Sequence, residues 1–201
     1  LGFAKGNNIG YIYAKNELNA DYIVLLNNDT VLLQENFFEL IIQEYTESKF
    51  AVLGPQILLP NNKINPILKE IPSIEIVNKQ LRNIKFDYII NYLFLNKLYK
   101  KSRQIAKNIL IKLKLKKKSQ GIKDEDVNKK YENIVLHGCF LIFSKEYINL
   151  FDGLDDRTFL YREEELLAIR LKKHNLKSVY SPNLQILHNE DSSTNAITKS
   201  N

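Results

Sequence analysis

Tyr22-Ile-Val-Leu-Leu-Asn-Asn-Asp-Thr30 is an unbroken apolar run that stops abruptly at polar residues. A short β-branched and aliphatic run without alternation predicts a strand buried on both faces, as in a parallel sheet. In open α/β sheets, ligands sit just beyond the carboxyl ends of such strands. Asp29 therefore falls where a rigid element can hold a carboxylate at a site. A polar turn accounts for the same residues, because Asn and Asp are common turn formers.

Working outward, Leu1 to Gly10 carries glycines at Gly2, Gly6 and Gly10, which suit a tight loop close to a ligand. A helix is expected over residues 9–18, and a Gly-rich loop ahead of a helix can cradle phosphate on its N–H groups. Lys5 could neutralise such a phosphate, although a solvated lysine is the ordinary case. Beyond Asp29, Phe37, Phe38, Leu40, Ile41, Ile42 and Tyr45 recur at helical spacing and predict an amphipathic helix over 35–47. Residues 50–59 read as another buried strand, with Gly54-Pro55 marking a kink or an edge. Strand, helix, strand is the grammar of an α/β sheet.

The chain has 201 residues, 44% hydrophobic and 26% charged, which suits one globular domain with a real core. A single cysteine, Cys139, excludes an internal disulfide and points to a reducing compartment. No apolar run approaches the ~18 residues that span a bilayer, and no secretory signal is expected, since Leu1 opens directly into a Gly- and Asn-rich stretch. A chain without methionine that opens inside a motif reads as an N-terminally truncated fragment. The net charge is +6, but the lysines crowd into residues 97–118. Residues 66–130 are expected to form a helical, basic insertion. A solvated helical face is the plain explanation of that lysine run. The sharper one is a membrane-surface element, since each lysine near an anionic leaflet gains roughly 1 kcal/mol. Arginine is scarce there and no recognised motif accompanies it, so no nucleic-acid partner is expected.

Residues 134–143 predict a second long buried strand, interrupted at His137-Gly138, where glycine marks a close approach. Ser144 can cap a short helix over 145–150. A further helix begins near Glu163, with Leu166, Leu167, Ile169 and Leu171 on its apolar side. The carboxylates of Glu163, Glu164 and Glu165 complement the helix dipole there. A carboxylate in a cleft can equally serve as a general base. Residues 177–180 and 184–187 predict two short strands around Ser181-Pro182-Asn183, and His188 follows the second. Residues 194–201 are a polar, flexible tail.

Five stretches in order resemble the family 2 glycosyltransferases, in particular their rhamnosyltransferase-like branch. They are Gly2-Phe-Ala-Lys-Gly-Asn-Asn-Ile-Gly10, Leu25-Leu-Asn-Asn-Asp-Thr30, His137-Gly-Cys-Phe140, Phe159-Leu-Tyr-Arg-Glu-Glu164 and Leu187-His188. The resemblance implies a GT-A fold, a Rossmann-related, mainly parallel sheet flanked by helices, here lacking its first βα units. It implies inverting transfer from a nucleotide sugar to a glycan or lipid-linked acceptor in cell-surface polysaccharide synthesis. Asn27-Asn28-Asp29 corresponds to the family's Asp-x-Asp motif with asparagine first. Asp29, and His188 near it, would hold a divalent ion, Mg²⁺ or Mn²⁺. Lys5, Gly6, Asn8, Asn27 and Asn28 would face the donor diphosphate, and His137 and Gly138 the acceptor side. Glu164 stands where the family's catalytic base is expected, with glutamate in place of the commoner aspartate, so Glu163 or Glu165 could share the role. The setting implied is cytoplasmic, peripheral on the inner face of the cell membrane, and the fragment alone is expected to turn over little. Two alternatives stay open: a sugar-phosphate nucleotidyltransferase, and a non-catalytic membrane- or nucleic-acid-binding module on a degenerate scaffold.

Overall fold

The computed structural model describes residues 2–61, 63–65, 69–72, 82, 127–158 and 162–189. The chain divides into residues 1–71 with 121–201, and residues 72–120; the fold below belongs to the first of these. Of residues 66–130, expected to be helical, 69–72, 82 and 127–130 are described, and Lys69–Glu70 is a strand rather than helix; the rest of that stretch, the membrane contact expected at 97–118 and the tail at 194–201 lie outside the described residues. Among the described residues, no helix is long and apolar enough to cross a membrane.

The architecture is mixed α/β. In chain order the helices are α1 (Phe3–Asn16), α2 (Phe37–Ser48), α3 (Lys145–Ile148) and α4 (Glu163–Lys173). The strands are β1 (Tyr22–Leu26), β2 (Thr30–Leu32), β3 (Val52–Leu58), β4 (Lys69–Glu70), β5 (Tyr131–Glu132), β6 (Ile134–Val135), β7 (Phe140–Ser144) and β8 (Ser178–His188). The main sheet runs β1-β7-β3-β8-β2, with β5 also on β8, while β4 and β6 form a two-stranded sheet. Among the described residues only β3 and β8 pair in parallel; β1/β7, β3/β7, β2/β8 and β5/β8 are antiparallel. The expectation of a mainly parallel sheet is therefore corrected. An apolar run carries no record of strand direction: β7 is buried throughout beside antiparallel partners, whereas β1, at the end of the strand order, fully buries only Ile23 and Leu25 and not both faces as expected. One apolar cluster joins Ala4, Tyr11, Ile23, Leu141, Tyr147 and Leu171 on the α1/α4 side. The other joins Phe37, Ile41, Phe50, Leu53, Phe140 and Ile142 on the α2 side.

The Gly-rich loop expected over residues 1–10 is instead the start of α1. Its inward positions are Ala4 and Tyr11, both fully buried, with Asn7 and Asn8 between them. Asn7 donates to the Phe3 carbonyl. Asn8 clamps Leu154 from both sides, donating to its carbonyl at 2.9 Å and accepting from its N–H at 2.8 Å. Polar residues thus occupy the helix's inner stripe and hide its period, while Gly6 and Gly10 look onto open space. The other partner of this clamp is Gly153, at φ +106, where a Cβ would stand 2.2 Å from Asn8 Oδ1.

The strand expected over 134–143 splits into β6 and β7, with the turn at His137-Gly138 between them. The two strands expected around Ser181-Pro182-Asn183 are one, β8. Pro182 is tolerated because the β3/β8 register jumps there, from Pro55↔Ser181 to Gln56↔Gln185, so no ladder bond is asked of it. Glu44 of α2, 2% exposed, accepts from Ser181 Oγ and Asn183 Nδ2 and pins this bulge. Ser144 caps α3 as expected, accepting from Glu146 N–H. On α4 the buried residues are Glu163, Leu167, Ala168 and Leu171, whereas Ile169 turns outward.

The loop ahead of α4 carries a pH-sensitive ion pair. Hydrogen bonding from Arg157, with help from Arg170, pulls the Asp155 carboxyl from 3.8 down to about 2. A depressed carboxylate contributes stability above its unfolded value that is lost as pH falls through the folded one. Asp155→Asn should therefore lower the urea midpoint at pH 6, and the gap from wild type should close between pH 4 and pH 2. An unchanged gap at the acid end would show that the pair does not act through its charge.

Candidate active site

The Asn27 N–H donates to the Cys139 carbonyl at 2.9 Å, carrying the β1/β7 pairing one residue past β1. The Asn27 carbonyl then accepts from the Thr30 N–H at 3.2 Å and from its hydroxyl at 2.6 Å. This turn leaves Asn28 exposed at its apex and sends the chain back as β2. Thr30 lies opposite His188 in the β2/β8 ladder, and the Asn189 N–H donates to the Asp29 carbonyl at 3.0 Å. Two strand ends thus set Asp29 Oδ1 3.2 Å from His188 Nε2, with side chains 11% and 8% exposed. The His137 ring packs edge-on to His188 at 5.8 Å. Its Nδ1 accepts the Cys139 N–H at 3.1 Å, an arrangement that assigns the ring proton of neutral His137 to Nε2.

A cleft of about 360 Å³ opens beside this corner, lined among others by Asn27, His137, Gly138, Arg162, Glu163 and Glu164. Glu164 sits in the first turn of α4, and its Oε1 accepts the Gly138 N–H at 2.6 Å. Glu163 is 7% exposed, and its Oε1 accepts from the Thr158 hydroxyl at 3.2 Å. Glu165 is paired with Arg162 at 3.4 Å. Of the three carboxylates, Glu164 is the one gripped at the cleft wall by the turn it faces.

The structure gathers Asn27, His137, Gly138, Glu163 and Glu164 at this cleft, with Asp29 and His188 one ring behind it. It does not bring Lys5 and Asn8 there. Both border a second, open hollow of about 570 Å³ beside residues 150–156, and Gly6 faces away on the same helix. The loop that was to present Lys5, Gly6 and Asn8 to a diphosphate is a helix, so that expectation lacks its geometric basis. Arg162 and Phe3 were not singled out from sequence, yet both line the cleft. Arg162 holds a left-handed conformation, φ 76, at the cap of α4, where Ser, Thr, Asp or Asn is the usual choice. An arginine directly ahead of an acidic helix start was the available signal.

Among the described residues, no group of three or more His, Cys, Asp and Glu converges as a metal site. Asp29 and His188 supply a carboxylate oxygen and an imidazole nitrogen close enough together to share one ion. Two protein donors suffice for a divalent cation that takes its remaining ligands from phosphate and water. The pair therefore fits Mn²⁺ or Mg²⁺ as part of a ligand set completed by a substrate. A scan against models of known protein families, a search of curated proteins and a search of solved structures each returned no match to this chain.

Proposed function

We propose that this chain carries the catalytic centre of an inverting glycosyltransferase with a GT-A-type fold. The supporting observation is that Asn27, directly after β1, and Glu164, in the first turn of α4, line one cleft beside the Asp29–His188 pair. Glu164 takes the proton of an acceptor hydroxyl as that oxygen attacks the anomeric carbon of a nucleotide sugar. The bond from that carbon to the diphosphate breaks, and the nucleoside diphosphate leaves with the electron pair. Asp29 and His188 would hold a divalent ion, which when bound would offset negative charge on the departing diphosphate. Asn27 bonds the donor, while His137 and Gly138 border the acceptor side. The acceptor is a glycan or lipid-linked sugar, met at the cytoplasmic face of a membrane that the lysines of 97–118 approach.

The test is nucleoside-diphosphate release by the full-length protein across a panel of nucleotide sugars, with Mn²⁺ or Mg²⁺. One donor is expected to be consumed, and Asp29→Ala should lower turnover by roughly 10²–10³-fold. Pyrophosphate release from a sugar phosphate and a nucleoside triphosphate would instead mark a nucleotidyltransferase. Flotation with anionic liposomes and no turnover of any donor would mark a binding module.

A further inference from the structure

Gly138 follows His137 in the turn that precedes β7 and faces Glu164. Its φ lies outside the left-handed region, so the backbone alone would accept any small residue there. The space would not. A Cβ at position 138 would come within 3.1 Å of Glu164 Oε1, 3.4 Å of its Cγ and 3.7 Å of its Cδ. The first of these is tighter than ordinary van der Waals contact, so the carboxylate would have to give by a few tenths of an ångström. The same residue's N–H is bonded to that oxygen at 2.6 Å, a short, charge-assisted bond when Glu164 is ionised. One residue therefore both holds the carboxylate and leaves the room it occupies.

We infer that Gly138 is the positioning residue for Glu164, and that glycine at 138 is matched to the length of glutamate at 164. An aspartate, one methylene shorter, would withdraw from the Gly138 N–H and from the space over Cα. This rests on Glu164 acting as the base, but the contact itself can be tested without any turnover. Catalytic groups must be held within about 0.5 Å of their productive position, and displacement of a few tenths approaches that limit.

The test compares Gly138→Ala, Glu164→Asp and the double variant in the full-length protein. Gly138→Ala should lower kcat about tenfold or more while leaving the donor KM within about twofold. On the Glu164→Asp background the same alanine should cost less than about twofold, because the colliding group has been withdrawn. Equal factors on both backgrounds would overturn the inference. A second measurement does not depend on activity. The Gly138 amide proton should resonate well downfield of the other glycine amides and move upfield in Glu164→Gln. If the wild type consumes no donor but this amide behaves as expected, the assigned reaction fails and the positioning contact stands. An amide indifferent to residue 164 would remove the contact itself.

Discussion

Glu164→Gln is expected to lower kcat by roughly 10²–10⁴-fold, the range for loss of a positioned general base, while donor affinity stays nearly unchanged. Glutamine fills the same volume and keeps an oxygen for the Gly138 N–H, so the cleft wall is preserved and only the proton acceptor is lost. The donor contacts assigned to Asn27 and the Asp29–His188 pair belong to other elements and are not disturbed. Glu163→Gln provides the contrast. Its Oε1 accepts from the Thr158 hydroxyl, a bond that the glutamine oxygen keeps, so turnover should stay within a few-fold of wild type. Single-turnover rates and donor titrations on the two variants separate these effects. A Glu164→Gln enzyme within tenfold of wild type would require another base.

Lys130→Met should lower the unfolding free energy by about 3 kcal/mol, the lower end for leaving a buried charge without its partner. Glu44 is 2% exposed on its side chain, and Lys130 Nζ lies 2.7 Å from Glu44 Oε2 and 2.9 Å from Glu47 Oε2. Methionine keeps the length of the stem but removes the ammonium, while Ser181 and Asn183 still bond to Glu44 Oε1. Burial works to depress the Lys130 pKa, yet hydrogen bonds to Glu44 and Glu47 outweigh it and leave it raised above 10.5. A raised lysine contributes stability below its unfolded value and loses it as pH climbs through the folded one. The deficit of the variant should thus persist at neutral pH and shrink only in strongly alkaline solution. Adding Glu44→Gln should recover part of the loss, because the stranded charge goes with it. Urea unfolding of the single and double variants measures both quantities. A loss below about 1 kcal/mol, the size of a surface pair, would mean that Glu44 is solvated.

Much of this site could be read before the fold was known, for identifiable reasons. The apolar run of β1 ends where the polar residues begin, and Ser144 and the three glutamates mark helix starts by their chemistry. What could not be read depended on partners remote in sequence. Asn8 looks like a loop residue until Leu154 is seen to exchange two hydrogen bonds with it. Pro182 looks like a strand breaker until the β3 register is known. The direction of the neighbouring strands leaves no trace in an apolar run, so the antiparallel partners of β1 and β3 were beyond reach. That Glu164 rather than Glu163 meets Gly138 is decided by helical phase at α4, which adjacent identical residues cannot reveal.

The jump between Ser181 and Gln185 also fixes which side chains of β8 look where. Alternate residues of a strand face opposite ways, so Leu187 and His188 have contrary aspects. With residues up to Ser181 held in place, removing one residue from 182–184 would shift everything downstream by one and bring the Asn189 carboxamide to the place of the imidazole beside Asp29. The wedge at Pro182 is thus a phase-setting device, and a single-codon deletion several residues away would undo the Asp29–His188 pair without touching either member.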